Sequence, residues 1–130
     1  MTQIAIDGNS LTLESALAIA KGTATAFLPA SSREKMQDSR DAVEDVLESK
    51  NVVYGINTGF GALSSVVIEN EQLETLQENL VRSHACGIGE RMEPETVLLM
   101  MVFRANSLAR GVSGSRPDIA DSYTHLRDHE

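Results

Sequence analysis

The sequence predicts a mainly helical protein with short strands and glycine-rich loops. Apolar residues recur at helical spacing in several segments, whereas only short stretches alternate as a strand does. Hydrophobic residues make up 42% and charged residues 23% of the 130 residues, a composition typical of a globular domain rather than of a disordered segment. We expect a domain over residues 1–117 and a polar, divergent tail over residues 118–130.

The first elements predicted are a short strand, a turn and a helix. Ile4 and Ile6 alternate with polar or small neighbours, and the turn sequence Asp7-Gly8-Asn9 follows them. Thr12 can cap a helix with an apolar stripe, and Gly22 is placed to end it.

A long second helix is predicted after Pro29-Ala30. Ser31 or Ser32 offers a hydroxyl to the free amide groups of its first turn, and its apolar pattern fades near residue 50. Residues 52–54 then indicate a short strand, which leads into a segment dense in glycine. Such density favours a loop whose backbone approaches another backbone or a ligand closely.

Two more helices are predicted in the second half. One is stopped by Gly87 and carries an apolar stripe of Leu73, Leu76 and Leu80. The other has Pro94 in its first turn and ends before Gly111. Its apolar run, residues 97–103, is far shorter than the roughly 20 residues of a membrane span. We therefore expect protein to pack on every face of this run.

Charge and cysteine content exclude several classes of function. A formal net charge of −8 without a cluster of Lys or Arg argues against a nucleic-acid partner. The single cysteine, Cys86, cannot form an intramolecular disulfide, and the first residues do not resemble a secretory signal. We expect a cytoplasmic protein with no membrane partner, in which Cys86 is a small buried residue.

Three segments contain the residues that could support chemistry. They are residues 54–61 (YGINTGFG), 79–87 (NLVRSHACG) and 104–117 (RANSLARGVSGSRP). The glycines of the first match neither the dinucleotide nor the P-loop spacing, so we expect no nucleotide site. In order and spacing, the three segments resemble the amino-terminal part of the aromatic amino acid ammonia-lyases and aminomutases. The pair Ser83-His84 resembles the histidine ammonia-lyase version, where phenylalanine enzymes usually carry Phe-Leu.

The resemblance implies a fold and a set of roles. The fold would be the amino-terminal domain of the ammonia-lyases, and Tyr54 would be the catalytic base. Substrate-binding residues would be His84, Ser83 and Gly61. Loop or structural roles would fall to Gly55, Asn57, Gly59, Phe60, Arg104, Asn106 and Arg116.

The resemblance also implies a cofactor and partners. The family's electrophile is a methylidene-imidazolone formed from Ala-Ser-Gly, a tripeptide that occurs nowhere in these 130 residues. We therefore expect a segment of a longer enzyme, with no cofactor in this chain and no turnover by it alone. The complete enzyme would act on L-histidine, and the chain would self-associate as its relatives do.

Other functions are compatible with the same three segments. The chain could be a free-standing, non-catalytic binding or assembly module built on the same domain, or a segment of another aromatic amino acid ammonia-lyase or aminomutase. His125 and His129, four residues apart, could be metal ligands on one helical face. We favour a solvated tail there and expect no metal site.

Overall fold

The computed structural model describes residues 1–49 and 51–124, and this part of the chain is mainly helical. It contains five α-helices, one 3-10 helix and a two-stranded sheet. The elements are β1 (Thr2–Ala5), α1 (Leu13–Ala20), β2 (Ala24–Phe27), α2 (Ala30–Ser49), a 3-10 helix (Gly61–Leu63), α3 (Asn70–His84), α4 (Pro94–Leu108) and α5 (Pro117–Thr124). The predicted fold class is confirmed.

The chain forms two compact units. The first combines Met1–Ala42 with the chain from Arg91 onward, and the second is Val43–Glu90. The first unit contains the sheet, and the second contains the glycine-rich segment and α3.

The first unit is organised by the pairing of β1 with β2. The strands are parallel, and residues 2–5 lie opposite residues 24–27. Because parallel neighbours cannot be joined by a tight hairpin, α1 forms the crossover between them. Thr12 caps α1 as predicted, since its Oγ1 accepts a hydrogen bond from the Ser15 amide at 3.2 Å.

Small side chains form much of the core between the sheet, α1 and α4. Ala16, Ala105 and Ala109 are fully buried, which lets the helices approach closely. Ile6, directly after β1, is among the largest side chains that are fully buried. A separate cluster of Met36, Leu108 and Ala120 holds α5 against α2 and α4.

Part of the expected polar tail is folded. α5 extends to Thr124, and the half-buried Tyr123 packs against both core clusters. The expectation of a solvated tail is wrong as far as Thr124, because the Tyr123 ring finds apolar partners in the core. His125 and His129 lie outside the described residues, and the domain division at residue 117 remains a prediction.

Two local expectations are wrong. Residues 52–54 form no strand, because the backbone groups of Val53 bond within a local turn instead of to a neighbouring strand. Ser31 and Ser32 do not cap α2, because the helix already begins at Ala30. The Pro29 carbonyl accepts the first hydrogen bonds of that helix, including one from the Ser32 amide at 3.0 Å.

The apolar run of α4 is only partly enclosed. Val102 is buried, but Met100 is 57% exposed and Phe103 is 42% exposed. The expectation that protein packs on every face of this run is therefore wrong for this chain by itself. Within residues 1–49 and 51–124, no helix combines the length and the apolar character that crossing a membrane requires.

Candidate active site

Tyr54 lies at the second position of a tight turn in the second unit. The Val53 carbonyl accepts a hydrogen bond from the Ile56 amide at 3.1 Å, which closes a four-residue turn. Gly55, at the third position, has a φ of 82°, as a type II turn requires there. A Cβ on Gly55 would meet no atom within 4 Å, so conformation rather than space demands the glycine. The turn leaves Tyr54 65% exposed.

Asn57 connects this turn to the chain on either side of it. The residue is only 4% exposed, and both ends of its carboxamide are bonded. Oδ1 accepts a hydrogen bond from the Val53 amide at 2.9 Å, and Nδ2 donates to the Asn51 carbonyl at 2.7 Å. The Asn57 carbonyl accepts from the Ile68 amide at 3.0 Å. One side chain therefore holds the backbone immediately before Tyr54.

Thr58 continues the loop into a short antiparallel contact. It is 2% exposed, and its hydroxyl accepts from the Gly55 amide at 3.4 Å and donates to the Gly59 carbonyl at 3.0 Å. Its backbone pairs with Val67 in an isolated bridge, and the Gly59 amide donates to the Val66 carbonyl at 3.0 Å. Sequence reasoning gave Thr58 no role. The sequence does place a hydroxyl side chain between glycines. Such a side chain often forms hydrogen bonds with nearby backbone groups.

Gly59 and Gly61 are required for different physical reasons. A Cβ on Gly59 would lie 2.7 Å from the Cβ and 2.7 Å from the carbonyl oxygen of Leu63, so close packing requires glycine there. Phe60 is extended and half-buried, and it precedes the 3-10 helix. Gly61 begins that helix with a φ of 56° and has open space beside it, so its requirement is conformational.

Ser83 and His84, at the carboxyl end of α3, bond to the same carbonyl. Ser83 Oγ donates to the Leu80 oxygen at 2.8 Å, and His84 Nδ1 lies 2.8 Å from that oxygen. Because a carbonyl oxygen can only accept, Nδ1 carries the proton. In the neutral tautomer that carries this proton, the other ring nitrogen, Nε2, is an acceptor. Ser83 Oγ also lies 3.0 Å from Nδ1 and restrains the ring.

The neighbours of His84 are exposed. Arg82 Nη2 pairs with Glu78 Oε1 at 2.6 Å, an exposed i,i+4 pair that contributes little stability. Cys86 is exposed, so the expectation of a buried residue is wrong, because α3 ends at His84 and the chain beyond it is uncovered. Among the residues that the structure describes, no group of three or more His, Cys, Asp or Glu side chains is suited to hold a metal ion.

The candidate residues of the third motif lie in the first unit. Asn106 Oδ1 accepts a hydrogen bond from the Gly8 amide at 2.9 Å and so attaches the turn after β1 to α4. Arg116 Nε lies 3.5 Å from Asp118 Oδ1 in an exposed pair at the start of α5. Arg104 is exposed on α4.

The second unit gathers the other candidates into two groups. One is the loop that carries Tyr54 and is held by Asn57 and Thr58, and the other is Ser83 with His84. Over the described part of the chain, no hydrogen bond or ion pair joins the two groups, and the Tyr54 hydroxyl has no hydrogen-bond partner. The chain thus supplies an exposed phenol on a turn held by side chains, and an imidazole whose Nδ1 is bonded to the backbone.

Comparison with known proteins identifies the family. A family model described as aromatic amino acid lyase matches residues 11–130. A histidine ammonia-lyase of Alkaliphilus metalliredigens is 40% identical over 126 residues, which are 97% of this chain and 25% of that protein. The structure of tyrosine aminomutase from Streptomyces globisporus matches with a TM-score of 0.91 and 32% identity, over 98% of this chain and 24% of that one. Histidine ammonia-lyase from Trypanosoma cruzi matches with a TM-score of 0.87 and 33% identity, over 96% and 24%. The chain spans about a quarter of the length of these relatives. It belongs to the aromatic amino acid lyase family.

Proposed function

We propose that the chain is the amino-terminal segment of a histidine ammonia-lyase, an enzyme that converts L-histidine to urocanate and ammonia without oxidation. The observation that carries the proposal is the Ser83–His84 pair. With Nδ1 bonded to the Leu80 carbonyl, the neutral His84 ring presents Nε2 as an acceptor to a ring N–H of the substrate. Leaving that substrate N–H unpaired in an enclosed site would cost about 1–3 kcal/mol, which is a basis for selectivity.

We assign Tyr54 the removal of the substrate's β-proton. The phenolate oxygen takes the proton, the C–H electron pair becomes the new double bond, and the protonated α-amino group leaves as ammonia with the Cα–N electron pair. The assignment is supported by a hydroxyl that has no hydrogen-bond partner among the described residues, on a turn held by buried polar side chains. Open space beside Gly61 supports a contact between substrate and that part of the loop.

The residues of this chain do not fit the family's electrophile. Methylidene-imidazolone forms from Ala-Ser-Gly, and no such tripeptide is present in the 130 residues. The proposed contribution of the chain is therefore proton removal by Tyr54 and substrate recognition by Ser83 and His84. We expect the 130-residue chain to form no urocanate by itself.

We further propose that the chain self-associates. α4 exposes Met100 and Phe103, and α3 exposes Val81, which is 68% accessible. Apolar side chains at this exposure favour burial against another copy. Sedimentation should show assembly that increases with concentration, and a monomer at high concentration would count against it.

We also propose a cytoplasmic location, because Cys86 is the only cysteine and has no intramolecular disulfide partner.

A chimera tests the substrate proposal. The chain would replace the matching segment of the Alkaliphilus metalliredigens relative, and product would be measured with L-histidine, L-phenylalanine and L-tyrosine. We expect urocanate from the unaltered chimera. Replacing Ser83-His84 with the Phe-Leu of phenylalanine enzymes should lower kcat/KM for L-histidine roughly tenfold or more, because the acceptor for the ring N–H is lost. An unchanged preference for L-histidine would refute the assignment.

The same measurement separates the alternatives. Similarity to a tyrosine aminomutase structure favours testing L-tyrosine as a substrate, with a β-amino acid as the diagnostic product. A folded chimera that acts on none of the three amino acids would instead support a non-catalytic binding or assembly module.

A further inference from the structure

We propose that Asn57 is a positioning residue for Tyr54, acting through the backbone of Val53. The inference rests on the proposed role of Tyr54 as the base. Asn57 itself is 4% exposed and bonds to protein groups with both ends of its carboxamide. It therefore sets where the phenol points without touching the substrate.

The backbone of Val53 is bonded on both sides. Its amide donates to Asn57 Oδ1 at 2.9 Å, and its carbonyl accepts from the Ile56 amide at 3.1 Å and from the Asn57 amide at 3.3 Å. That carbonyl belongs to the same rigid peptide plane as the Tyr54 nitrogen. Fixing the plane fixes the direction in which the Tyr54 side chain leaves the turn.

Only a carboxamide satisfies both demands at this position. Oδ1 must accept from the Val53 amide while Nδ2 donates to the Asn51 carbonyl at 2.7 Å. Asp offers only acceptors when ionised, and Ala offers neither function. Because the site is buried, water cannot readily replace a lost partner. Thr58 holds the other side of the turn through the Gly55 amide.

The experiment compares the 130-residue chain with three variants by NMR. Asn57→Ala removes both side-chain bonds, whereas Asn57→Asp keeps an acceptor for the Val53 amide. Asn51→Ala is the matched control, because Asn51 takes part only through its backbone. The two readouts are the hydrogen-exchange rate of the Val53 amide and the ring resonances of Tyr54. Tyr123, the other of the two tyrosines, is the internal reference in the first unit.

In Asn57→Ala, we expect the hydrogen-exchange rate of the Val53 amide to rise roughly tenfold or more above the wild-type rate. The ring resonances of Tyr54 should shift toward those of free tyrosine. Tyr123 should not move, and Asn51→Ala should keep the wild-type values. Asn57→Asp should change in the same direction as Asn57→Ala, because its carboxylate places an acceptor against the Asn51 carbonyl in a buried site. Wild-type values in Asn57→Ala would overturn the inference. So would wild-type values in Asn57→Asp, because side-chain volume and one acceptor would then suffice without the donor to Asn51.

If Asn57→Ala does not fold, Asn57→Asp decides alone. Faster Val53 exchange and shifted Tyr54 resonances in that variant, with Tyr123 unchanged, support the inference, and wild-type values overturn it. Neither readout depends on turnover. A chimera that keeps full activity with Tyr54→Phe would refute the base while leaving the NMR result in place, and a failed NMR result would leave the base assignment untouched.

Discussion

Replacing Gly59 with alanine tests whether the Tyr54 loop is closed by tight packing. The new Cβ would lie 2.7 Å from the Leu63 Cβ and 2.7 Å from the Leu63 carbonyl oxygen, with the carbonyl carbon at 3.3 Å. Two of these three atoms are backbone, so the 3-10 helix must move rather than a flexible side chain. Overpacking of this kind typically costs about 1–3 kcal/mol. We expect a loss of that size in the second unit.

Hydrogen exchange of the Gly59 and Ile68 amides measures the loss, because both donate to carbonyls within the loop. Gly87→Ala is the matched control. Its Cβ would meet no atom within 4 Å and its φ is not left-handed, so the change should stay within about 0.5 kcal/mol. If Gly59→Ala is as neutral as Gly87→Ala, the packing argument is refuted.

Three further predictions concern stability, pH and reactivity. Met36→Ala should destabilise the first unit by about 2–5 kcal/mol, measured by urea unfolding, because Met36 is only 1% exposed; a change below about 1 kcal/mol would contradict this. Hydrogen bonds from Ser10 and then Asn9 lower the pKa of Asp7, so its stabilising contribution is complete above the unfolded-state pKa of about 3.9 and disappears as the pH falls through the folded-state value. An NMR titration that places the Asp7 pKa at or above that of free aspartate would refute the turn geometry. Cys86 should react with a thiol reagent at nearly the rate of the unfolded chain, and protection in the monomer would contradict its exposure.

The helices could be predicted because their signals are local. Thr12 precedes an apolar stripe, and Pro94 opens a helix in which residues 97–103 are all apolar. β2 was not predicted, since the four residues Ala24–Phe27 carry weak strand signals and pair with a distant part of the chain. The helical end of the tail was also missed, because the polar composition around Tyr123 conceals its contacts with the core.

In the candidate site, the glycines of the sequence predict where the backbone needs special conformations or close packing. They do not predict which hydrogen bonds hold the backbone there. Gly55, which has a left-handed φ, and Gly59, which is closely packed, are both loop residues that the sequence predicted. The bonds of Asn57 and Thr58 depend on how residues 51–68 fold back on themselves. Side chain to backbone bonds of this kind leave no periodic pattern, and the shared Leu80 carbonyl leaves none either.

In the proposed function, Tyr54 removes the β-proton of the substrate. The direct measurement is kcat for urocanate formation by the chimera with Tyr54→Phe, compared with the unaltered chimera. A general base contributes about 100- to 10,000-fold, so kcat should fall by at least about 100-fold while the variant stays folded. A folded Tyr54→Phe chimera with an undiminished kcat would contradict the assignment of Tyr54 as the base.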